Sequence, residues 1–315
     1  MPTRCGTIAL LGRPNAGKST LLNALVGSKL AGVSRKPQTT RNRIAGLLVV
    51  EDSQLIFLDT PGMHRTRGHA RLNKRMNQEA RQVMEEADVL CYLVDGEAGF
   101  QPGDQEWLRD LLQRSGAPFA VLLTKADRLK KARLRERQAA CAAALEELLE
   151  DAGPGGRDRL LWGGVRPVSA KVPDGVRALA ADLAGLLPEG PFLYPGDEIT
   201  DRPLRFVFGE QIRENIFRTM GEEIPYECAV QVEEVAREDG LTRVQAGIIV
   251  GRESQKGMII GKKGSRIRDI GEASRRSMES LTGDRIFLDL RVRVAENWFN
   301  DPQLLAEYAD YDEDE

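Results

Sequence analysis

Histidine occurs only twice and cysteine four times in 315 residues, and aromatic side chains make up 5% of the chain. Cys5, Cys91, Cys141 and Cys228 are far apart and in no paired spacing, so neither a disulfide framework nor a cysteine-rich metal site is supported. Cys91 lies in the apolar run VLCYLVD, and reduced, structural thiols are the expectation. No run of about 18 uncharged apolar residues occurs. The opening MPTRCGTIALLGR turns into a glycine loop before the apolar core of a signal peptide could form, and a cytosolic protein is expected. An excess of either charge is also missing, with Lys+Arg 45 against Asp+Glu 48 and a net charge of −3. A uniformly basic nucleic-acid binder is thereby excluded, and only local patches remain to be sought.

The chain is long enough for two domains, each with its own core. Up to about residue 187, the short apolar runs IALL, LIFLD, VLCYLVD, FAVLLT and RPVS alternate with helical patterns such as LRERQAACAAALEELLE. This alternation predicts an α/β domain over 1–187 with a mostly parallel sheet covered on both faces. Residues 188–203 concentrate proline, glycine and acid without periodicity and read as a linker. From 204 to 300 the order becomes helix, two strands, helix, turn, helix, strand, which predicts a separate α+β module. Residues 301–315, ending YADYDEDE, read as an acidic, disordered tail.

The stretch GRPNAGKST, Gly12 to Thr20, fits G-x-x-x-x-G-K-[ST] and stands between the strand IALL and the helix STLLNALV. In that context Gly12, Asn15, Ala16, Gly17, Lys18, Ser19 and Thr20 form a phosphate cradle. Backbone N–H groups converge on phosphate oxygens, and Lys18 reaches the terminal phosphates. Ser19 supplies a hydroxyl to Mg²⁺, a hard ion needing further oxygens. Thr39 and Thr40 in PQTTRNR and Asp59 at the end of LIFLDTPG are the candidates, with the Gly62 amide placed for a γ-phosphate. In LLTKADR, Asp127 can accept two hydrogen bonds from the guanine edge, where adenine offers an acceptor and would leave the carboxylate unpaired. The Lys125 stem can lie along the base. Ser169 and Ala170, in VSAK, stand where the Ala170 amide can meet the guanine carbonyl.

The order GRPNAGKS, QTT, DTPG, TKAD, SA resembles the G motifs of translation-factor-class GTPases, which implies a P-loop GTPase domain using GTP/GDP and Mg²⁺. Two departures are visible. Thr124 stands where the family usually has asparagine, and its shorter reach predicts weaker guanine anchoring. Met63 stands where Ras-like proteins carry the water-orienting glutamine, so slow intrinsic turnover is expected. Lys18, Thr40 and Asn15 are the groups expected to act on the reacting phosphate. Asn15 resembles the asparagine that helps hold K⁺ in related bacterial GTPases. A solvated role is the expectation for His64 and His69.

A second glycine pair occurs in GMIIGKKGSRI. From Lys256 to Arg276 seven basic residues face two acidic ones, a local +5. Only two residues separate Gly261 from Gly264 and no G-K-[ST] follows, which excludes a second mononucleotide loop. Ile267, Ile270, Ser274, Met278 and Leu281 give the next helix a buried stripe, leaving the basic residues near the turn free for a polyanion. A G-x-x-G turn between two helices resembles a KH domain, which clamps about four single-stranded nucleotides along that loop. On that likeness Ile260, Gly261, Lys262, Lys263, Gly264, Arg266 and Ile267 are the RNA-binding candidates, with Ile259 also walling the groove. The element order is that of the bacterial type II KH domain.

A GTPase domain joined to a C-terminal type II KH domain resembles the Era family of bacterial ribosome-assembly GTPases over nearly the whole chain. Other matching stretches are SRKPQTTRNRI, DTPGMH and IRENIF. The resemblance implies a monomer that binds the 3′ end of 16S rRNA in the small (30S) subunit, with RNA binding gated by the nucleotide. It also implies peripheral association with the inner face of the cell membrane. The residues alone reach a GTPase joined to a single-stranded RNA binder, and leave open a nucleotide-gated RNA-binding protein whose hydrolysis is incidental.

Overall fold

A computed structural model of the chain describes residues 2–34, 43–62, 70–220, 228–296, 298, 301, 304 and 308. The chain divides into two compact units, one of residues 1–28, 43–65 and 74–201, the other of 29–42, 66–73 and 202–315.

The first unit is built on six strands: β1 (Arg4–Gly12), β2 (Ile44–Val50), β3 (Ser53–Asp59), β4 (Val89–Asp95), β5 (Phe119–Thr124) and β6 (Leu160–Pro167). Their order is β2-β3-β1-β4-β5-β6, with β2 antiparallel to β3 and the other pairs parallel. The helices are α1 (Lys18–Val26), α2 (Ala70–Glu86), α3 (Pro102–Arg114), α4 (Lys131–Ala152), α5 (Pro154–Asp158) and α6 (Pro173–Ala184). The central strands read as unbroken apolar runs because both sheet faces are covered: Val89 to Val94 are all buried, as are Phe119 to Thr124. Gly27, in the left-handed region at φ 75°, ends α1 by donating its N–H to the Asn23 carbonyl. All four cysteines are free and buried, and burial pushes the Cys91 thiol up to about 12.

The stretch read as a linker is hydrogen-bonded to this sheet up to residue 201. Cys5 N–H donates to the Pro188 carbonyl, the Gln54 side chain accepts from the Leu193 and Tyr194 amides, and Leu47 N–H donates to the Ile199 carbonyl. Main-chain bonds of this kind need no side-chain periodicity, so composition alone did not reveal them.

The second unit carries α7 (Leu204–Thr219), β7 (Cys228–Glu238), β8 (Leu241–Val250), α8 (Glu253–Ile260), α9 (Ser265–Thr282) and β9 (Arg285–Val294). The sheet order is β7-β8-β9, the first pair antiparallel and the second parallel. Ile270, Ser274 and Met278 of α9 are fully buried, the stripe expected from their spacing. They pack with Phe208, Ile212 and Ile216 of α7 and the inner face of the sheet; Asn215 Nδ2 donates to Ser274 Oγ at 3.2 Å. Leu304 and Tyr308, expected in a disordered tail, instead pack against the buried Trp298, with the Tyr308 ring edge-on at 6.3 Å. An apolar pair within the acidic run is reason enough for that part to be held.

Candidate functional site: a phosphate loop and a lysine-bearing turn

The loop between β1 and α1 takes backbone conformations that dictate its residues. Gly12 has φ 140°, and a Cβ there would lie 2.5 Å from the Leu93 carbonyl oxygen. Gly17 has φ 98°, and Asn15 is left-handed at φ 62°, a region that asparagine tolerates better than most side chains. Lys18 is buried, and its Nζ donates to the carbonyls of Gly12 at 3.0 Å and Arg13 at 3.2 Å, which curls the loop around the ammonium. Burial pushes its pKa down to about 8, with the Asp59 carboxylate pulling in the opposite direction. Bound phosphates would strengthen that lysine's hold on its proton.

Ser19 Oγ donates to Asp59 Oδ2 at 2.6 Å, and Asp59 is fully buried. A hydroxyl and a carboxylate brought together beside the loop are hard oxygen donors of the kind Mg²⁺ takes, so the residues fit the ion. Gly62 closes the other side: a Cβ there would come within 2.9 Å of Pro14 Cα, so only glycine lets this backbone lie against the loop. Thr39 and Thr40, expected near the metal, lie outside the described residues, as do Met63, His64 and His69.

At the base end, Ser169 Oγ donates to Asp127 Oδ1 at 2.6 Å, and the Lys171 amide donates to Ser169 Oγ. The Ser169 hydroxyl holds the Asp127 carboxyl below the usual carboxylate range. The carboxylate is therefore charged and fixed in direction, able to take two donors from one edge of a base. Lys125 Nζ donates to Asp95 Oδ2 at 2.5 Å, which ties down its stem.

Thr124 has a task that its position in the motif did not reveal. Its hydroxyl is buried and donates to the Ala16 carbonyl at 2.6 Å, with the Val94 carbonyl also near at 3.1 Å. It joins the end of β5 to the phosphate loop, and Gly17 leaves 3.6 Å for it even measured from an imagined Cβ. The short side chain suits this close approach.

A buried polar chain behind the loop was also missed. Tyr92 OH donates to Asp104 Oδ1 at 3.0 Å, the Gln101 amide donates to Asp104 Oδ2 at 2.8 Å, and Arg13 stands 3.8 Å from that oxygen. Burial raises the pKa values of both Tyr92 and Asp104, the latter opposed by Arg13. The same Arg13 receives Lys18 on its carbonyl, so α3 braces the loop through it. The one signal in the sequence was QPGD, an acid at the third helical position beside an arginine-bearing loop.

In the second unit α8 stops at Gly261, at φ 71°, where a Cβ would meet Arg266 Cγ at 2.8 Å. Lys263 (φ 52°) and Gly264 (φ 73°) are also left-handed, so the turn reverses within three residues. Lys262, Lys263 and Arg266 are exposed, and Arg266 Nη1 donates to the Met258 carbonyl at 3.0 Å. Ile260 and Ile267 are half-buried beside the turn. Ile259 is a correction: it is fully buried in the core with Ile270 and Ile286 and cannot wall a groove.

Residues 7–125 match the sequence model of the 50S ribosome-binding GTPases and residues 223–299 that of the KH domain. GTPase Era of Stenotrophomonas maltophilia (strain K279a) is 40% identical over 307 residues, covering 98% of this chain and 97% of the relative. GTPase Era of Geobacter metallireducens is 42% identical over 309 residues, 97% of each. Among solved structures, a point variant of Aquifex aeolicus Era bound to GDP·AlF4⁻ is 32% identical, with a TM-score of 0.84 over 97% of this chain and 99% of that one. Era in complex with MgGDPNP and nucleotides 1506–1542 of 16S ribosomal RNA is 33% identical, with a TM-score of 0.85 over 97% and 98%. With likeness of this extent in both sequence and fold, the chain belongs to the Era family of GTPases.

Proposed function

We propose that the chain is a slow GTP-hydrolysing switch that binds the 3′ end of 16S rRNA through its KH domain during small-subunit assembly. The observation that carries this is the coexistence of the phosphate site and the lysine-bearing turn in one chain. The Era structure described above holds MgGDPNP and a 16S rRNA segment at once. Lys18 and the loop amides neutralise the β- and γ-phosphates, and Ser19 and Asp59, with Thr40, hold Mg²⁺ against them. When bound, that ion supplies positive charge to the phosphoryl oxygens. Asn15 contributes to a K⁺ site beside the phosphates. Asp127, aimed by Ser169, selects guanine, and the Ala170 amide meets its carbonyl.

Lys262, Lys263 and Arg266 meet RNA phosphates, Gly261 and Gly264 admit the backbone, and Ile260 and Ile267 wall the base groove. The working state is a cytoplasmic monomer on the 30S subunit. No helix among the described residues is long and apolar enough to cross a membrane.

Turnover with and without a 16S 3′-end oligonucleotide tests the reading. Stimulation of hydrolysis, together with RNA affinity that depends on the nucleotide, is the expected result. RNA affinity indifferent to GTP or GDP would refute a switch.

A further inference from the structure

A dense run of positive charge in the first unit begins directly after Asp127 and continues into α4. Between residues 128 and 137 six basic side chains (Arg128, Lys130, Lys131, Arg133, Arg135, Arg137) face one acid, Glu136, in a chain whose net charge is −3. All but Arg137 are exposed. Arg128 pairs with Glu97 at 2.6 Å, Arg133 with Glu136 at 3.3 Å, and Arg137 donates to the Glu97 carbonyl at 3.2 Å. Among the described residues no carboxylate pairs with Lys130, Lys131 or Arg135.

These three stand where intramolecular forces oppose them. They open α4, at the end of the helix where the backbone dipole is positive, and its first turn contains no acid. Lys131 and Arg135 are one turn apart, a like-charge spacing that destabilises a helix. The potentials add outward, which is the arrangement that attracts a polyanion.

The identity of that polyanion follows from what α4 lacks. Its apolar face, with Cys141, Leu145, Leu148 and Leu149, is buried in the core, and half-buried Leu134 packs against it. The exposed positions between the cations hold no large apolar side chain. A helix that lies in a lipid surface needs such a face to insert. Phosphates of a folded RNA need only the cations and small neighbours such as Ala132.

We propose that the Lys130, Lys131 and Arg135 surface of α4 is a second RNA contact, binding backbone phosphates of a helical RNA segment. The inference rests on the RNA-binding reading above and adds a surface to it.

The test uses the full chain with a non-hydrolysable GTP analogue and two probes: a single-stranded 16S 3′-end oligonucleotide, and that oligonucleotide extended by a hairpin. The triple variant Lys130→Gln, Lys131→Gln, Arg135→Gln should lose about tenfold in affinity for the extended probe. Its log affinity against log salt should flatten by about 2.7 for three lost phosphate contacts to a duplex. Affinity for the short oligonucleotide should not change. The variant Lys130→Arg, Lys131→Arg, Arg135→Lys should keep both properties, which separates charge from folding. Equal affinity and salt slope for the triple glutamine variant and the parent chain would overturn the proposal. Phosphatidylglycerol vesicles serve as a control, and an effect of the glutamine variant confined to them would also overturn it and assign the surface to lipid. Short-probe binding abolished by Gly261→Asp, with extended-probe binding untouched by the α4 substitutions, would sink the α4 contact and keep the KH reading. A parent chain that binds neither probe would sink both.

Discussion

Replacing Thr124 with valine removes a buried hydroxyl while nearly keeping its volume. The Ala16 carbonyl, 2.6 Å from that hydroxyl, then loses its donor from β5 inside a packed strand end. A buried polar group deprived of its partner costs about 1–3 kcal/mol. Where that cost falls on the nucleotide-bound loop, at about 1.4 kcal/mol per factor of ten, the Kd for GDP should rise between about 5- and 150-fold. Equilibrium binding of a fluorescent GDP analogue to Thr124→Val measures it. Thr124→Ser keeps the hydroxyl and should stay near the parent value. A Thr124→Val protein whose Kd stays within about twofold of the parent would refute the bracing role; equal losses for the serine and valine variants would assign the effect to packing instead.

Three further outcomes follow from the geometry. In the nucleotide-free protein Lys18 releases its proton near pH 8, whereas in the unfolded chain it does so near about 10.4. The unfolded state holds more protons between these values, so stability should rise with pH across that window, as denaturant titration would record. Phosphates bind the charged form, so GDP affinity should be flat below pH 8 and fall about tenfold per pH unit above it; calorimetry that finds no proton uptake near pH 9 would count against a buried, weakened ammonium. Asp127→Asn should move preference from GTP towards xanthosine triphosphate, measured by competition, since the amide turns one carboxylate acceptor into a donor. Gly261→Ala places a Cβ 2.8 Å from Arg266 Cγ at a positive φ, so RNA affinity should fall while GDP affinity holds.

The fold and the phosphate site were legible for a shared reason: each is written in short contiguous runs. Unbroken apolar stretches marked the covered parallel strands, and GRPNAGKST carried its glycines where the backbone demands them. What escaped depends on partners far apart in the chain. Thr124 was read against guanine alone, because its bond to Ala16 spans 108 residues and no local pattern announces it. Asp104 and Tyr92 stand 12 residues apart in different elements, and no local pattern pairs them. Ile259 entered the groove on the KH likeness, but α8 is eight residues long, too short for its buried face to be told from its exposed one.

The stretch from 188 to 201 also bears on how this sheet survives alone. β2 is an edge strand, and a bare edge invites pairing with another copy of itself. Here Thr200 faces Gly46 across a bridge, the Ile199 carbonyl takes the Leu47 amide, and Thr200 Oγ1 donates to the Ala45 carbonyl. The segment acts as a selvedge, finishing the cloth where it would otherwise fray. A fragment cut after residue 187 would carry the whole nucleotide loop and still expose a sticky margin; one cut after 201 would keep its hem.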